Sequence, residues 1–246
     1  MTKRWLTLVS LTALGAACFA LSACGDGSDP ESSATNTPSK ATVTRPANEV
    51  AARIAGTSYP LNTAKGTRIG NPDAKVVLEV FEDFQCPFCL RFTANVEPGI
   101  VNDFVKTGKV QLVFRQFPIL GAESINAAIA STCAAEQNKF WPYHKALFLA
   151  QANAGQAENE KLNVGRFSEA KLKEIADEVK LNRTEFDACL TGSGVSDVVT
   201  ADVRSAAGFG LRGTPGFVIN GEALPGGSPA DNAGWKKLLD DKLAGR

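Results

Sequence analysis

Lys75-Val76-Val77-Leu78-Glu79-Val80-Phe81 leads through Glu82-Asp83-Phe84-Gln85 into Cys86-Pro87-Phe88-Cys89. The first seven residues form a β-branched, apolar run that reads as a buried strand. Glu82 to Gln85 reads as a short turn. A helix is predicted to begin near Cys86, with Pro87 in its first turn, where a missing N–H is tolerated. The spacing therefore sets two cysteines at a helix start, one turn apart. Helix N-terminal N–H groups stabilise an anion there, and the thiolate is the form of cysteine that attacks disulfides. Cys86 should have the helix field and the exposure, while Cys89 should face the same side but deeper. Cys86 is the candidate nucleophile, ionising at about 3.5–7.5, and Cys89 the candidate resolving thiol.

Outward from this stretch, the helix is predicted to continue to about Lys106, kinked by Pro98 and ended by Gly108. Val110 to Gln116 reads as a second strand, closed by Pro118. From about Ala122 to Phe209 the pattern becomes helical. Ile125, Ala128, Ile129, Thr132 and Cys133 repeat at helical spacing and predict one buried face. Further helices are predicted over Lys139–Gln151, Glu169–Val179 (capped by Ser168) and Ser196–Phe209. Asn182 should cap a short helix with Phe186, Cys189 and Leu190 on one face. The strand pattern returns at Gly216–Ile219, just after Gly213-Thr214-Pro215. Asn220-Gly221 then predicts a hairpin into Glu222–Leu224. Asn232 to Lys242 reads as a terminal helix. The organisation is α/β, with one domain (58–121 and 207–246) interrupted by a helical insertion (122–206).

The N-terminus sets the compartment. Thr2-Lys3-Arg4 is basic and the run from Trp5 to Ala20 is uncharged and mostly apolar. A basic start and a short apolar core read as a secretory signal peptide, too short for a membrane span of about 20 residues. Leu21-Ser22-Ala23-Cys24 resembles a bacterial lipobox. That assigns residues 1–23 to a lipoprotein signal peptide and Cys24 to lipidation. The tail from Gly25 to about Ala47 is rich in Gly, Ser, Asp, Thr and Pro, and residues 24–57 are assigned to a flexible tether. The expected location is extracytoplasmic, lipid-anchored to the bacterial cell membrane.

Of six cysteines, Cys18 would leave with the signal peptide and Cys24 would carry lipid. Four remain, an even number that in an oxidising compartment points to two disulfides. Cys86 and Cys89 either pair with each other or react with a partner, which leaves Cys133 and Cys189 as a long-range pair. A second redox pair is one reading of them. A structural disulfide is favoured, because neither lies at a helix start. It would close a loop of about 57 residues and contribute about 3–4 kcal/mol.

Several classes fit poorly. Without Lys3 and Arg4 the chain keeps 24 basic against 26 acidic residues, which is no nucleic-acid surface. A zinc site needs two more compactly spaced ligands, and the chain has one histidine, His144, and no second C-x-x-C. A copper-delivery protein using the dithiol is an alternative from another class. Copper favours Cys with Met or His, and only Met1 and His144 are present. No phosphate loop or dinucleotide fingerprint occurs, and no cofactor is expected. His144 reads as structural, and Trp141, Tyr143, Leu147 and Phe148 as core or groove wall. Asn182-Arg183-Thr184 matches a glycosylation acceptor that a bacterial lipoprotein would not use.

Val76–Cys89 and Gly213–Gly221 together resemble the thioredoxin superfamily, in particular its DsbA-like branch, whose signature Glu82-Asp83-Phe84-Gln85-Cys86-Pro87-Phe88-Cys89 is similar to. The resemblance covers about Ser58 to Arg246. It implies a thioredoxin-like fold with a helical insertion domain. It also implies a thiol–disulfide oxidoreductase, most simply a disulfide oxidase for secreted proteins, with isomerase or reductase as the alternative. Clients would be secreted or envelope proteins held by mixed disulfide, and a membrane redox partner would complete the cycle. Pro215 is expected to be cis and to pack against the dithiol, with Thr214 presenting backbone to a substrate strand. Pro87 and Phe88 would support the site. Two positions depart from the family. Phe88 stands where well-studied oxidases carry His, and Val80 stands where an acid six residues before the first Cys is common. Glu79 is one residue earlier and should face the other side of the strand, Glu82 and Asp83 follow, and which of these carboxylates serves Cys89 is left open.

Overall fold

The computed structural model describes residues 48–224 and 228–246. The expected signal peptide, Cys24 and the part of the expected tether up to residue 47 lie outside the described residues. Five strands form one sheet: β1 (Arg68–Ile69), β2 (Val76–Glu82), β3 (Val110–Gln116), β4 (Gly216–Ile219) and β5 (Glu222–Ala223), in the order β1-β3-β2-β4-β5. β2 is parallel to β3, and the other neighbours are antiparallel. β2 is thus central and hydrogen-bonded on both sides, which suits its continuous apolar run. Asn220 and Gly221 turn β4 into β5 with φ of 52° and 82°, the left-handed pair that Asn-Gly adopts easily.

Alternation along β2 distributes its side chains between two cores. Val76, Leu78 and Val80 enter the main core, each at most 1% exposed. Burial of such side chains stabilises by roughly 1.5–3 kcal/mol each. Phe81 points the other way, into a smaller cluster with Phe117, Ala206 and Val218. Glu79 shares that opposite side, where Arg115 contacts it at 2.5 Å and Asp202 at 3.1 Å.

Helices α1 (Asn48–Gly56), α2 (Pro87–Asn95) and α3 (Glu97–Ile100) precede β3, and a single π-helical turn follows α3 at Val101–Val105. The insertion supplies α4 (Ala122–Glu136), α5 (Phe140–Asn153), α6 (Glu169–Glu178), α7 (Arg183–Leu190) and α8 (Ser193–Gly208). α9 (Asn232–Leu243) closes the chain. Asn182 caps α7 by accepting from the N–H groups of Thr184 and Glu185, whereas Ser168 makes no side-chain cap bond on α6. No helix among the described residues is long and apolar enough to cross a membrane.

Four expectations need correction. The tether does not extend to residue 57: residues 48–56 are helical, because Ala51 and Ile54 fall on one face and are buried. The segment is short and alanine-rich, with Val50 and Ile54 its only large apolar residues, and gives little pattern to read. The long helix after the dithiol is broken at Val96 instead of merely kinked, and α3 restarts with Pro98 in its first turn, where the proline lacks only an N–H that would be unpaired anyway. Ile125 is 47% exposed. α4 packs against several helices through Ala127, Ala130, Ser131 and Ala134, and these small residues outweigh the face that Ile125 marked. Cys86 is the N-cap residue, and its exposure is only 4%.

Candidate active site

Cys86 ends the loop after β2, and Cys89 lies in the first turn of α2. The loop closes through Cys86 N–H donating to Asp83 O at 3.0 Å, and Leu90 N–H returns to Cys86 O at 3.0 Å. Both thiols are free, and Cys89 is fully buried. The peptide bond Thr214–Pro215 is cis, and the Cys86 thiol donates to Thr214 O at 3.3 Å. The loop before β4 therefore lies directly against the dithiol. Phe88 projects outward, 61% exposed, with the Arg91 guanidinium 5.4 Å from its ring centre. Phe88, Arg91, Thr214 and Pro215 border one open groove of about 480 Å³.

The two thiols are pushed apart in acidity. Hydrogen bonds lower the Cys86 pKa to about 6, first from the Cys89 thiol, then from the Thr214 side chain and from the N–H groups of Cys89 and Phe88, against the upward effect of burial. The Cys89 thiol is raised well above 9.0, first by burial, then by its bond to Cys86 and the negative charge of Glu82. Folded Cys86 ionises near 6 and an unfolded thiol at 9.0, so thiolate stabilises the reduced fold. That stabilisation is complete above pH 9 and is lost as pH falls through 6. Alkylation of the reduced chain by iodoacetamide is expected to follow an ionisation near pH 6, at Cys86 alone. A midpoint at the ordinary thiol value would refute the assigned environment.

The loop is held from two sides. Asp83 accepts from Gln85 N–H at 2.8 Å, the Ser124 hydroxyl at 2.7 Å, Ile119 N–H at 2.8 Å and Leu120 N–H at 2.9 Å. From the insertion, Gln151 Nε2 donates to Phe84 O at 2.7 Å and Gln156 Nε2 to Gln85 O at 2.9 Å. The Gln85 side chain accepts from Asn163 N–H at 2.8 Å and donates to the Ser124 hydroxyl at 2.9 Å. Every one of these groups is satisfied inside the protein, which removes the freedom a loop of this kind would otherwise have.

Behind Cys89 lies a buried polar cluster. Glu82 and Glu97 are each 1% exposed and His144 is fully buried. Oxygens of the two carboxyls and a ring nitrogen of His144 lie within 4.8 Å of one another. Burial raises the Glu82 pKa most, then Glu97, while the Cys89 thiol lowers it by hydrogen bonding. Burial also lifts Glu97 to about 7, partly opposed by the Tyr59 hydroxyl, which donates to it. His144 stays neutral, its pKa lowered to about 3 by burial among aromatic rings.

Residues 62–241 match the thioredoxin family. The chain belongs to that family. It is 27% identical over 180 residues to the probable disulfide bond formation protein D of Bacillus cereus, covering 71% of this chain and 77% of that one. The crystal structure of oxidised BdbD from Bacillus subtilis superposes with a TM-score of 0.62 at 23% identity, over 76% of this chain and 96% of that one. Wolbachia pipientis alpha-DsbA1 superposes with a TM-score of 0.60 at 24% identity, over 73% and 91%. This thioredoxin-family chain is a DsbA-like protein thiol–disulfide oxidoreductase.

Within this thioredoxin-family fold, Cys86, Pro87, Phe88, Cys89, Thr214 and Pro215 come together at one end of the sheet. Cys133 and Cys189 are elsewhere, bonded to each other between α4 and α7 with Cα atoms 5.7 Å apart. Cys24 lies outside the described residues. Sequence reading gave no role to Gln85, Glu97 or Tyr59, and it left Glu79, Glu82 and Asp83 as acids near the dithiol without choosing between them. The available signal was the acid pair Glu82-Asp83 just before the dithiol. Glu82 was placed in a turn, but it is the last residue of β2, two residues beyond Val80 and so on the same inward face.

Proposed function

We propose that the chain is a disulfide oxidase for secreted proteins, working outside the cytoplasm and anchored to the bacterial cell membrane by lipid on Cys24. Cys86 is its nucleophilic sulfur. A client thiolate attacks Cys86 Sγ of the Cys86–Cys89 disulfide, that bond breaks, and Cys89 leaves as thiolate and takes up a proton. The client's second thiolate then attacks its own sulfur in the mixed disulfide and expels Cys86 as thiolate. Client thiols are oxidised by two electrons and the dithiol is reduced by two. A membrane partner's disulfide accepts those electrons to restart the cycle. In reverse, Cys89 resolves the mixed disulfide by attacking Cys86. Thr214, in the loop against Cys86, offers backbone to an extended client segment.

The observation that carries this reading is the split in acidity between two adjacent thiols, one held near pH 6 and the other far above. A stabilised Cys86 thiolate favours the reduced dithiol and so makes its disulfide an oxidant. The basic–apolar N-terminus and the Cys133–Cys189 disulfide both agree with an oxidising compartment. The test is the reduction potential of Cys86–Cys89 against glutathione. A potential above about −150 mV supports donation of the disulfide, and one near or below about −230 mV favours a reductase or isomerase.

Phe88 tunes that value. Its side chain offers neither charge nor hydrogen bond to the Cys86 thiolate, so the disulfide should be less oxidising than with histidine at this position. Phe88→His is expected to raise the potential by about 30 mV, equivalent to about 1.4 kcal/mol of extra thiolate stabilisation. An unchanged or lower potential in that variant would remove Phe88 from the account.

A further inference from the structure

We propose that Arg166 is a positioning residue for the dithiol: one nitrogen of its guanidinium turns the amides of Gln151 and Gln156 so that both present N–H to the loop that ends in Cys86. This role presupposes the exchange chemistry of Cys86 and Cys89, and it adds what sets the backbone beneath the reactive sulfur.

Gln151, near the end of α5, and Gln156, just beyond it, are both fully buried. A glutamine amide has a donor end and an acceptor end, and a buried amide must find partners for both. On one side stand the carbonyls of Phe84 and Gln85, which only accept. They take bonds from Gln151 Nε2 at 2.7 Å and Gln156 Nε2 at 2.9 Å. On the other side stands Arg166, which only donates. Its Nη1 donates to Gln151 Oε1 and, at 2.9 Å, to Gln156 Oε1. Each amide therefore fits in one sense alone, with oxygen toward the guanidinium and N–H toward the loop. Gln156 Oε1 has a second donor in Lys161 N–H at 3.0 Å, whereas Gln151 Oε1 has Arg166 alone among the described residues.

Arg166 is itself held. It lies in the segment before α6, and the N–H groups on either side of it, of Gly165 and Phe167, donate to the Glu123 carboxylate, the latter at 2.7 Å. Glu123 is buried in the first turn of α4 and is also the acid whose charge acts on the guanidinium. The backbone around Arg166 is thus fixed by an acid, and its head group by two amide oxygens. The side chain is half-buried and borders an open depression of about 620 Å³ with Val164 and Lys171, so replacing it opens no void in the core.

The effect reaches Cys86 through two peptide planes. In the Phe84–Gln85 peptide, the oxygen is bound by Gln151 and the N–H by Asp83 Oδ1 at 2.8 Å. In the Gln85–Cys86 peptide, the oxygen is bound by Gln156 and the N–H by Asp83 O at 3.0 Å. A peptide unit is planar, so holding both ends fixes its tilt. The tilt of the second plane sets the start of Cys86, whose φ of −71° and ψ of 123° are the extended conformation of an N-cap. An N-cap side chain lies over the N–H groups two and three residues on, here Phe88 and Cys89, and these favour the thiolate.

The experiment takes two readings on the full chain: the glutathione equilibrium of Cys86–Cys89 and the pH midpoint of Cys86 alkylation. Arg166→Met should shift the equilibrium about tenfold toward the disulfide, equivalent to about 30 mV, and raise the midpoint by about one pH unit. Arg166→Lys should restore both readings to within about threefold, because a single ammonium nitrogen can make the two bonds that Nη1 makes. With Gln151 and Gln156 both replaced by Met, Arg166→Met should change neither reading further. Thermal melting of the oxidised chain is the folding control. Where the double replacement does not fold, Gln151→Met alone should cut the Arg166→Met effect from about tenfold to about threefold. Three results overturn this role: folded Arg166→Met keeps both original readings, Arg166→Lys matches Arg166→Met, or the full Arg166→Met effect persists without the glutamines. If the unmodified chain shows no reversible exchange with glutathione, the exchange reading falls instead, and the alkylation midpoint still decides the role of Arg166.

Discussion

A chain carrying Cys89→Ala, mixed in reduced form with a disulfide-bonded protein, is expected to accumulate as a covalent adduct through Cys86. Cys86 ionises at about 6, so roughly nine-tenths of it is thiolate at pH 7. It lies against the loop that carries Thr214 and Pro215, two residues that border the groove beside Phe88. Attack therefore needs only Cys86. Release needs a second thiol, and Cys89, fixed within the same helical turn, provides it at a very high effective concentration. Without Cys89, release should slow on the order of 10³-fold. Non-reducing electrophoresis and mass mapping of the linked cysteine would report the trap. Cys86→Ala should give no adduct. An adduct forming equally fast through Cys89 in that variant would reverse the assigned roles.

Asp83→Ala should be the most damaging substitution outside the dithiol. The carboxylate accepts four hydrogen bonds, three from N–H groups and one from Ser124, and it is 1% exposed. Bonds to a charged acceptor contribute about 1.5–3 kcal/mol each, and their losses overlap because the donors share one site. A net loss of about 4 kcal/mol is expected, which for a fold of this size lowers Tm by about 8–16 °C. Asp83→Asn should be nearly as harmful, because its amide NH₂ would face donors where an oxygen now accepts. Thermal melts of the reduced chain would measure both. A loss under about 1 kcal/mol for Asp83→Ala would mean that the loop holds its shape without this residue.

The strand, dithiol and hairpin were legible because each has a strong local signature. Val76–Phe81 has a run of β-branched residues, Cys86 and Cys89 have a spacing with few other uses, and Asn220-Gly221 has a backbone preference. The helices of the insertion were legible in number and place, since Asn182 and the apolar spacing mark them. What failed was local pattern where long-range contact decides. α1 is short, with Val50 and Ile54 its only large apolar residues, and it packs on α5 and α2. Ile125 sits on a helix that meets its neighbours through small residues and Ile129. Glu97 and Tyr59 are 38 positions apart, and no spacing joins them. Glu82 reads as the start of a turn, and extending the strand by one residue makes it a buried acid on the inward face.

Gln151, Gln156 and Asn163 bind the two residues immediately before Cys86, and all three belong to the insertion. The insertion is therefore not a cassette. A chimera that exchanged residues 122–206 for those of a relative would break the carbonyl partners of Phe84 and Gln85 unless the donor brought equivalent side chains. A shortened chain without those residues would leave the same carbonyls unpaired beneath its reactive sulfur. Evolution of this chain's client preference by swapping insertions must then proceed with the dithiol loop, so that the two segments drift as a matched set.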